Sequence, residues 1–351
     1  MGTASVLELG TRDRVLTFGE IMLRLSPPCN LRIEQAVSFD AHYGGAEANV
    51  ALSLALQGDR SAYVSVVPPN RIGDCAVRSL GAYGVDTSRV VREGDRLGTY
   101  FFELGASERP NGVVYDRKYS AINLARRDVF DWDRILDGVR VFYVSGTTPA
   151  VSDEMALACE DALTACRKRG ITTVCDLNYR ARMWSKEKAQ TTMAKFLPLV
   201  DVCIANDEDA SATLGVHHAS GSLSCGIEEK EEYAKDAGDI CATFGCAMVA
   251  SVIRDIRSVE DSDWMGMVHT PAGTAFSRVH HVNVLEGVAA GDAFAAGLLH
   301  GLLHGLGLQE LADYAIAASV LKLTIRGDSN FVSSAEIEAV AQRGSGSRVS
   351  R

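Results

Sequence analysis

The stretch Leu285 to Gly305, LEGVAAGDAFAAGLLHGLLHG, places one acid, Asp292, where a turn of small residues runs into an apolar helix. The first amides of a helix lack partners within it, and the summed peptide dipole makes that end partly positive, so an anion docks there readily. Ala289, Ala290 and Gly291 have almost no side chain and leave those amides open to a phosphate. An acid in such a place opposes anion binding unless it has a separate task. The task that suits it is accepting a proton from an attacking hydroxyl.

A second polar constellation lies near the other end of the chain, in Ala41-His42-Tyr43-Gly44-Gly45-Ala46-Glu47-Ala48-Asn49-Val50-Ala51. Gly44 and Gly45 precede a helix that carries Asn49 in its first turns and then becomes apolar through Leu56. Small residues let a polyhydroxy ligand approach the backbone, and the Asn amide both donates to and accepts from hydroxyls.

These two stretches resemble the signatures of the ribokinase (PfkB) carbohydrate kinases. The C-terminal one, usually D-T-x-G-A-G-D-x-F-x-x-G, reads Glu286-Gly287-Val288-Ala289-Ala290-Gly291-Asp292-Ala293-Phe294-Ala295-Ala296-Gly297 here, with Glu for the first Asp, Gly287 for Thr and Ala289 for the first Gly. The N-terminal one, G-G-x-x-x-N-x-A, has Gly44, Gly45, Asn49 and Ala51 in register. The resemblance implies an α/β fold: a ribokinase-like three-layer α/β/α domain with a mostly parallel central sheet, plus a small β-sheet lid. It also implies that Asp292 is the base and that the amides at Ala289, Ala290 and Gly291 hold charge on the transferred phosphate. The implied cofactors are ATP and Mg²⁺, and the need for a monovalent cation stays open because Glu286 replaces the family's Asp.

The elements that must position these residues follow in chain order. Val15 to Phe18 reads as a sheet strand and Ile21 to Leu25 as a half-exposed one. Ala62 to Val67 reads as a strand, and Ile72-Gly73-Asp74 opens a helix leading to Gly84-Val85-Asp86. Gly98 to Glu103, with Tyr100, and Gly112 to Arg117 read as two strands joined by a polar loop, which the family places in the lid over the sugar. Tyr115 and Arg117 share a strand face and suit a substrate carboxylate, through a forked guanidinium contact and a hydroxyl.

Val139 to Ser145, the helix from Ser152 to Arg169 and Thr172 to Asp176 form a βαβ unit, with Met155, Cys159, Ala162 and Cys166 at helical spacing. Asp176-Leu177-Asn178-Tyr179-Arg180, followed by Met183-Trp184, sits where a strand ends, the place where ligands bind in such sheets. It is similar to the pattern of 2-keto-3-deoxygluconate kinases. By that similarity Asn178 approaches the nucleotide and Arg180 the junction of nucleotide phosphate and sugar acid.

Val202 to Ala205 is a strand ending in Asn206-Asp207-Glu208-Asp209, similar to the family's N-x-x-E region but one residue shorter. Asn206 is assigned to the nucleotide, and Glu208 is the candidate for hydrated Mg²⁺, with its neighbouring acids as alternatives. After the strand Met248 to Ile253, Arg254 and Ser258 to Trp264 stand where many relatives have K-x-G-x-x-G, so Arg254 is a nucleotide-side candidate. Gly297, Gly301 and Gly305 recur every four residues and suit packing against a sheet. After the helix Leu311 to Leu323, Asp328 is the last sugar candidate, from the Gly327-Asp328 ending. Neither His217-His218 nor His280-His281 reads as a metal site, because adjacent histidines share no face.

Composition bounds the reading. The chain has 351 residues, 47% hydrophobic and 23% charged, enough for a large core. A formal net charge of -10 without a dense basic run argues against nucleic acid. Nine cysteines without a CxxC pair read as reduced core residues of a cytoplasmic protein, and no apolar stretch is long enough to span a membrane. Residues 1–12 and 342–351 read as disordered tails flanking one kinase domain, 13–341, whose lid strands fall within about 20–45 and 97–120. The family further implies pairing of subunits through the lid.

The expected function is transfer of the ATP γ-phosphate to a hydroxyl of a sugar or sugar acid, with 2-keto-3-deoxygluconate first, yielding its 6-phospho form. A neutral sugar such as fructose or ribose is the alternative, and a sugar-binding protein that lost catalysis is another. A Rossmann dehydrogenase does not fit, because no G-x-G-x-x-G follows the first strand.

Overall fold

A computed structural model describes residues 7–215 and 226–342. Residues 1–6, 343–351 and His217-His218 lie outside the described residues. Leu7 and Leu9, which the sequence reading gives to a tail, pack against one of the two main cores.

Alternating side chains build the centre of the molecule. In the strand Arg14–Phe18, Leu16 and Phe18 enter one core and Val15 the opposite one. Val141–Ser145 repeats this, with Phe142 and Val144 on one side and Val141 and Tyr143 on the other. Both faces are covered by helices, so these strands read as unbroken apolar runs rather than as alternation. The nine-stranded sheet runs Gly273–Phe276, Asp261–Thr270, Met248–Ile256, Val202–Ile204, Thr172–Asp176, Val141–Ser145, Arg14–Phe18 and Arg60–Val64, with His280–Asn283 also paired to Asp261–Thr270. From Met248–Ile256 to Arg60–Val64 every pairing is parallel, and the antiparallel strands gather at one edge.

The smaller sheet is Asp40–Gly44, Met22–Ser26, Thr99–Glu103 and Gly112–Asp116 in that order. Several boundaries differ from the sequence reading. The strand read over Ala62 to Val67 is two pieces, Arg60–Val64 and Val66–Val67, the second pairing with Val91–Arg92. Arg117 lies one residue beyond its strand. The segment around Ser258 is the turn of a hairpin between Met248–Ile256 and Asp261–Thr270.

Two helices point at the junction of the sheets. Ala46–Leu56 and Ala290–Leu303 both pack on the core that holds Val15 and Val141, through Val50 and Leu54 and through Phe294 and Leu298. Fully burying Phe294 contributes about 2–3 kcal/mol. The glycines of the second helix do not meet a sheet: a Cβ on Gly297 would lie 3.0 Å from Ala315 Cα and one on Gly301 2.4 Å from Leu311 Cδ1, both on the neighbouring helix Leu308–Lys322. Small residues let the two helices approach closely, a contact that sequence spacing alone could not tell from packing on strands. Eight described cysteines are free; six are buried, whereas Cys29 is exposed and Cys75 partly so. No helix among the described residues is long and apolar enough to cross a membrane.

Candidate active site

A cavity of ≈ 460 Å³ opens at the carboxyl ends of the parallel strands, between the main sheet and the smaller one. Its floor is the start of Ala290–Leu303. Ala289 precedes that helix in the left-handed region, φ 62° and ψ 14°, and the first intrahelical bond runs from Ala293 N–H to Ala289 O at 2.9 Å. The amides of Ala290, Gly291 and Asp292 therefore have no acceptor in the helix and start it facing the cavity. The left-handed turn also explains the signature: glycine adopts it freely, and alanine holds it under strain. A Cβ on Gly291 would meet no protein atom within 4 Å, so that glycine leaves room for a ligand rather than for packing.

Asp292 is the third residue of the helix and not its cap, and it is half-buried at the cavity floor. Asn49 Nδ2 donates to Asp292 Oδ2 at 2.7 Å. Desolvation of the carboxyl at the cavity floor pushes Asp292 up to about 6, opposed by the bond from Asn49 and the charge of Arg180. At neutral pH it is mostly ionised and poised as a proton acceptor.

The glycines before Asn49 have separate reasons. A Cβ on Gly45 would lie 1.9 Å from Glu20 O, and one on Gly44 2.5 Å from Asp328 Cβ. Gly45 lines the cavity. Gly44, read as a sugar contact, does not; it is small because Asp328 packs over it. Asp328 is buried and accepts from Tyr100 Oη at 2.5 Å and from Arg24 Nη1 at 3.2 Å, while Arg24 Nη1 also donates to Glu286 Oε1 at 2.5 Å. Glu286 accepts as well from Gly327 N at 3.2 Å. The acid that departs from the family signature thus belongs to a buried cluster that holds the Asp328 loop against the lid strand.

Sequence reasoning missed Arg24 entirely. The only available signal was its phase: along Met22–Ser26 the buried positions are Met22, Arg24 and Ser26, while Leu23 and Leu25 are half-exposed. An apolar strand that turns its polar side inward marks a paired charge. Glu47 was missed too. It is buried, accepts from Ser145 N at 3.0 Å and Thr148 Oγ1 at 2.6 Å, and burial pushes it up to about 7.

Tyr115 and Arg117 both line the cavity, and the guanidinium lies 5.8 Å from the Tyr115 ring centre. Arg117 is not a free cation, however. Its Nη2 is bound to buried Glu20, which also accepts from Ser120 Oγ at 2.8 Å, and among the described residues its Nη1 meets only Met183 Sδ, at 3.1 Å. Arg180 and Arg254 line the same cavity, and neither forms an ion pair among the described residues. Arg254 instead lies 5.9 Å from the Trp264 ring centre.

Opposite the floor, Asp176 ends its strand and Asn178 follows with φ 35°, a left-handed turn that Asn tolerates. Burial holds the Asp176 carboxyl well above its ordinary range, reinforced by Asp209 and Asp292 and opposed by Arg180. Asn206 lines the cavity, but its side chain caps the following helix, accepting from Asp209 N at 2.8 Å. Glu208 is exposed in the cavity wall. Asp209, beside it, is buried and pushed up to about 6 by that burial, with Arg180 pulling it down. An exposed carboxylate backed by a second one, all oxygen donors, fits a hydrated Mg²⁺. His280 is buried, while His281 pairs with Asp263 at 2.9 Å, so the two face apart. The arrangement as a whole can hold a polyanion at a helix start, a divalent cation beside it and a hydroxyl against a carboxylate base.

Residues 12–335 match the model of the pfkB family of carbohydrate kinases. The chain is 31% identical over 331 residues to a 2-dehydro-3-deoxygalactonokinase of Haloferax volcanii, covering 94% of this chain and 97% of that one. A crystal structure of 2-dehydro-3-deoxygluconokinase from Thermotoga maritima superposes with a TM-score of 0.91 at 44% identity, over 96% of this chain and 100% of that one. A ribokinase II from E. coli in complex with ATP and Mg²⁺ shares the fold at 20% identity, with a TM-score of 0.74 over 95% and 100% of the two chains.

Proposed function

Because the chain belongs to the pfkB family of carbohydrate kinases and is an ATP-dependent sugar kinase, we propose that its acceptor is a 2-keto-3-deoxy sugar acid, 2-keto-3-deoxygluconate first, phosphorylated on the 6-hydroxyl. The observation that carries the chemistry is the Asn49–Asp292 contact beneath open helix amides. The acceptor oxygen attacks the γ-phosphorus, its proton passes to Asp292, and the bond to ADP breaks. Amides of Ala290 and Gly291 donate to the phosphoryl oxygens as charge develops on them. Glu208, backed by Asp209, would hold Mg²⁺, which when bound would supply positive charge to offset that of the transferred phosphate. Asn178, Asn206 and Arg254 flank the nucleotide, and Arg180 lies between nucleotide and acceptor.

Gly45, Asn49, Tyr100, Asp328, Tyr115 and Arg117 form the acceptor side. Arg117 Nη1 faces a thioether, a poor acceptor, which a substrate carboxylate oxygen would displace. The named relatives, a 2-dehydro-3-deoxygalactonokinase and a 2-dehydro-3-deoxygluconokinase, support the same substrate class. One observation favours a second reading: Glu20 already neutralises Arg117, which suits a neutral ketose such as fructose. The exposed lid side chain Val114, 55% accessible, is the surface we assign to pairing between subunits, which sedimentation would test.

The deciding experiment measures ADP release with Mg²⁺-ATP against 2-keto-3-deoxygluconate, its galactose epimer, fructose, ribose and gluconate. Turnover confined to the keto acids, lost selectively in Arg117→Ala, is the expected result. Equal or faster turnover of a neutral sugar would overturn the substrate and leave the chemistry standing.

A further inference from the structure

The helices that open at the cavity, Ala46–Leu56 and Ala290–Leu303, end together on the far side of the molecule. There His300 and His304, one turn apart, meet Asp59 from the loop after the first helix. His300 Nδ1 lies 2.7 Å from Asp59 Oδ2 and His304 Nε2 lies 3.1 Å from Asp59 Oδ1. One ligand atom from each residue falls within 4.8 Å of the others. The Asp59 and His300 side chains are 2% and 5% exposed, and that of His304 is 38% exposed.

We infer that Asp59, His300 and His304 form a site for a divalent transition cation of the Zn²⁺ class, separate from the cavity and independent of the substrate reading. Two imidazoles at i and i+4 with one carboxylate are a borderline-soft donor set that suits Zn²⁺ and its neighbours rather than Mg²⁺. Bonds of about 2.0–2.1 Å in a tetrahedron set donor atoms roughly 3.3 Å apart, so the His–Asp spacings of 2.7 and 3.1 Å need to open by less than about 1 Å and the longest donor spacing, at most 4.8 Å, to close by up to about 1.5 Å. Each imidazole presents a lone pair by carrying its proton on the other ring nitrogen. The exposed flank of His304 gives entry and leaves a fourth position for water.

His300 stacks between His304, 4.0 Å and 21° between the rings, and Tyr314, 4.8 Å, so an ion bound in the plane of both imidazoles requires the half-exposed His304 ring to turn out of that stack, while Tyr314 keeps His300 in place. Tyr314 Oη donates to Gln57 Oε1 at 3.0 Å, and Gln57 Nε2 donates back to Ser53 O at 3.1 Å. Asp59 N–H donates to Leu54 O at 3.0 Å after the left-handed Gly58, which fixes the carboxylate. At 1.5 Å per residue, Asp292 is about 12 Å from His300 and about 18 Å from His304 along the helix. The ion would clamp the remote ends of the two helices that carry Asn49 and Asp292.

The test is calorimetric titration of the chelator-stripped full chain with Zn²⁺ in excess Mg²⁺, together with thermal unfolding, for wild type, His304→Gln and Asp59→Asn. The glutamine amide of the first variant still donates to Asp59, and in the second the asparagine carbonyl accepts from one imidazole while its amide donates to the other, in that ring's other tautomer. The hydrogen-bonded clamp therefore survives in both while a strong ligand is lost. The expected result is one Zn²⁺ per wild-type chain with a raised Tm, and in both variants at least tenfold weaker binding without that rise. Failure of the wild type to take up Zn²⁺, or equal uptake and equal Tm rise in all three proteins, would overturn the site.

Discussion

Asn49 Nδ2 and Asp292 Oδ2 lie 2.7 Å apart across 243 residues of chain, each in the opening turns of its helix. The amide holds one carboxylate oxygen and leaves the other for an incoming hydroxyl. Because the bond favours the charged form, it also opposes the rise that burial imposes on this acid.

A base works only when deprotonated, and Asp292 sits at about 6. We therefore expect kcat/KM to be flat above pH 7 and to fall tenfold per pH unit below about 6. Asn49→Ala removes a bond to the carboxylate and should move this limb upward. An unmoved limb would assign it to another acid, with Asp209, also at about 6, the first suspect.

Asp292→Asn should lower kcat by about 10²–10⁴-fold with little change in the KM for the sugar, read by single-turnover phosphate transfer at pH 8. The same change should raise Tm at that pH. A carboxyl raised above its unfolded value binds more protons in the native state, so its ionisation between about pH 4 and 6 removes stability.

Glu47 extends this linkage to higher pH. It is held at about 7 against an ordinary 4.5 by burial, so its contribution is complete below about pH 4.5 and lost as pH rises through 7. Glu47→Gln should flatten the loss of stability across that window, a difference on the order of 1–3 kcal/mol at pH 8 by denaturant titration. Parallel curves for the two proteins would show that Glu47 does not hold a proton in the folded state.

Arg24 neutralises two buried acids, Glu286 and Asp328. Arg24→Met should destabilise by about 3–5 kcal/mol, because it strands both carboxylates away from water. Adding Glu286→Gln should restore part of the loss. Recovery of stability without recovery of the sugar KM would separate the fold from the positioning of Asp328, and Tyr100→Phe should then raise that KM alone.

Ala289→Gly restores the residue that the left-handed turn favours. Relief of about 1–2 kcal/mol of strain is offset by the extra freedom glycine has in the unfolded chain, about 0.4–1 kcal/mol. The variant should be as stable as wild type or slightly more so, with unchanged turnover. A large loss of either would mean that the Ala289 methyl group has a contact role.

The amino-acid sequence by itself determined the fold class, the family and about half of the cavity wall. Small residues before Asp292 and Asn49 are local requirements of turns and helix starts, and the βαβ spacing around Ser152 and Gly170 is equally local. What only the tertiary structure decided were the charges' partners. Arg117, read beside Tyr115 as a carboxylate contact, has buried Glu20 as its ion-pair partner. Asn206, a nucleotide candidate in the sequence, also caps its own helix through its side-chain oxygen. Gly44 looked like a sugar contact and makes room for Asp328. Arg24 gave no signal except the phase of its strand, and Asp59 with His300 and His304 gave only the i, i+4 spacing of the histidines. The physical reason is common to all of these cases. Helix starts, turns and periodicity depend on neighbours in the chain, whereas a buried charge is satisfied by whichever group folding brings within about 3 Å, and that group can lie hundreds of residues away.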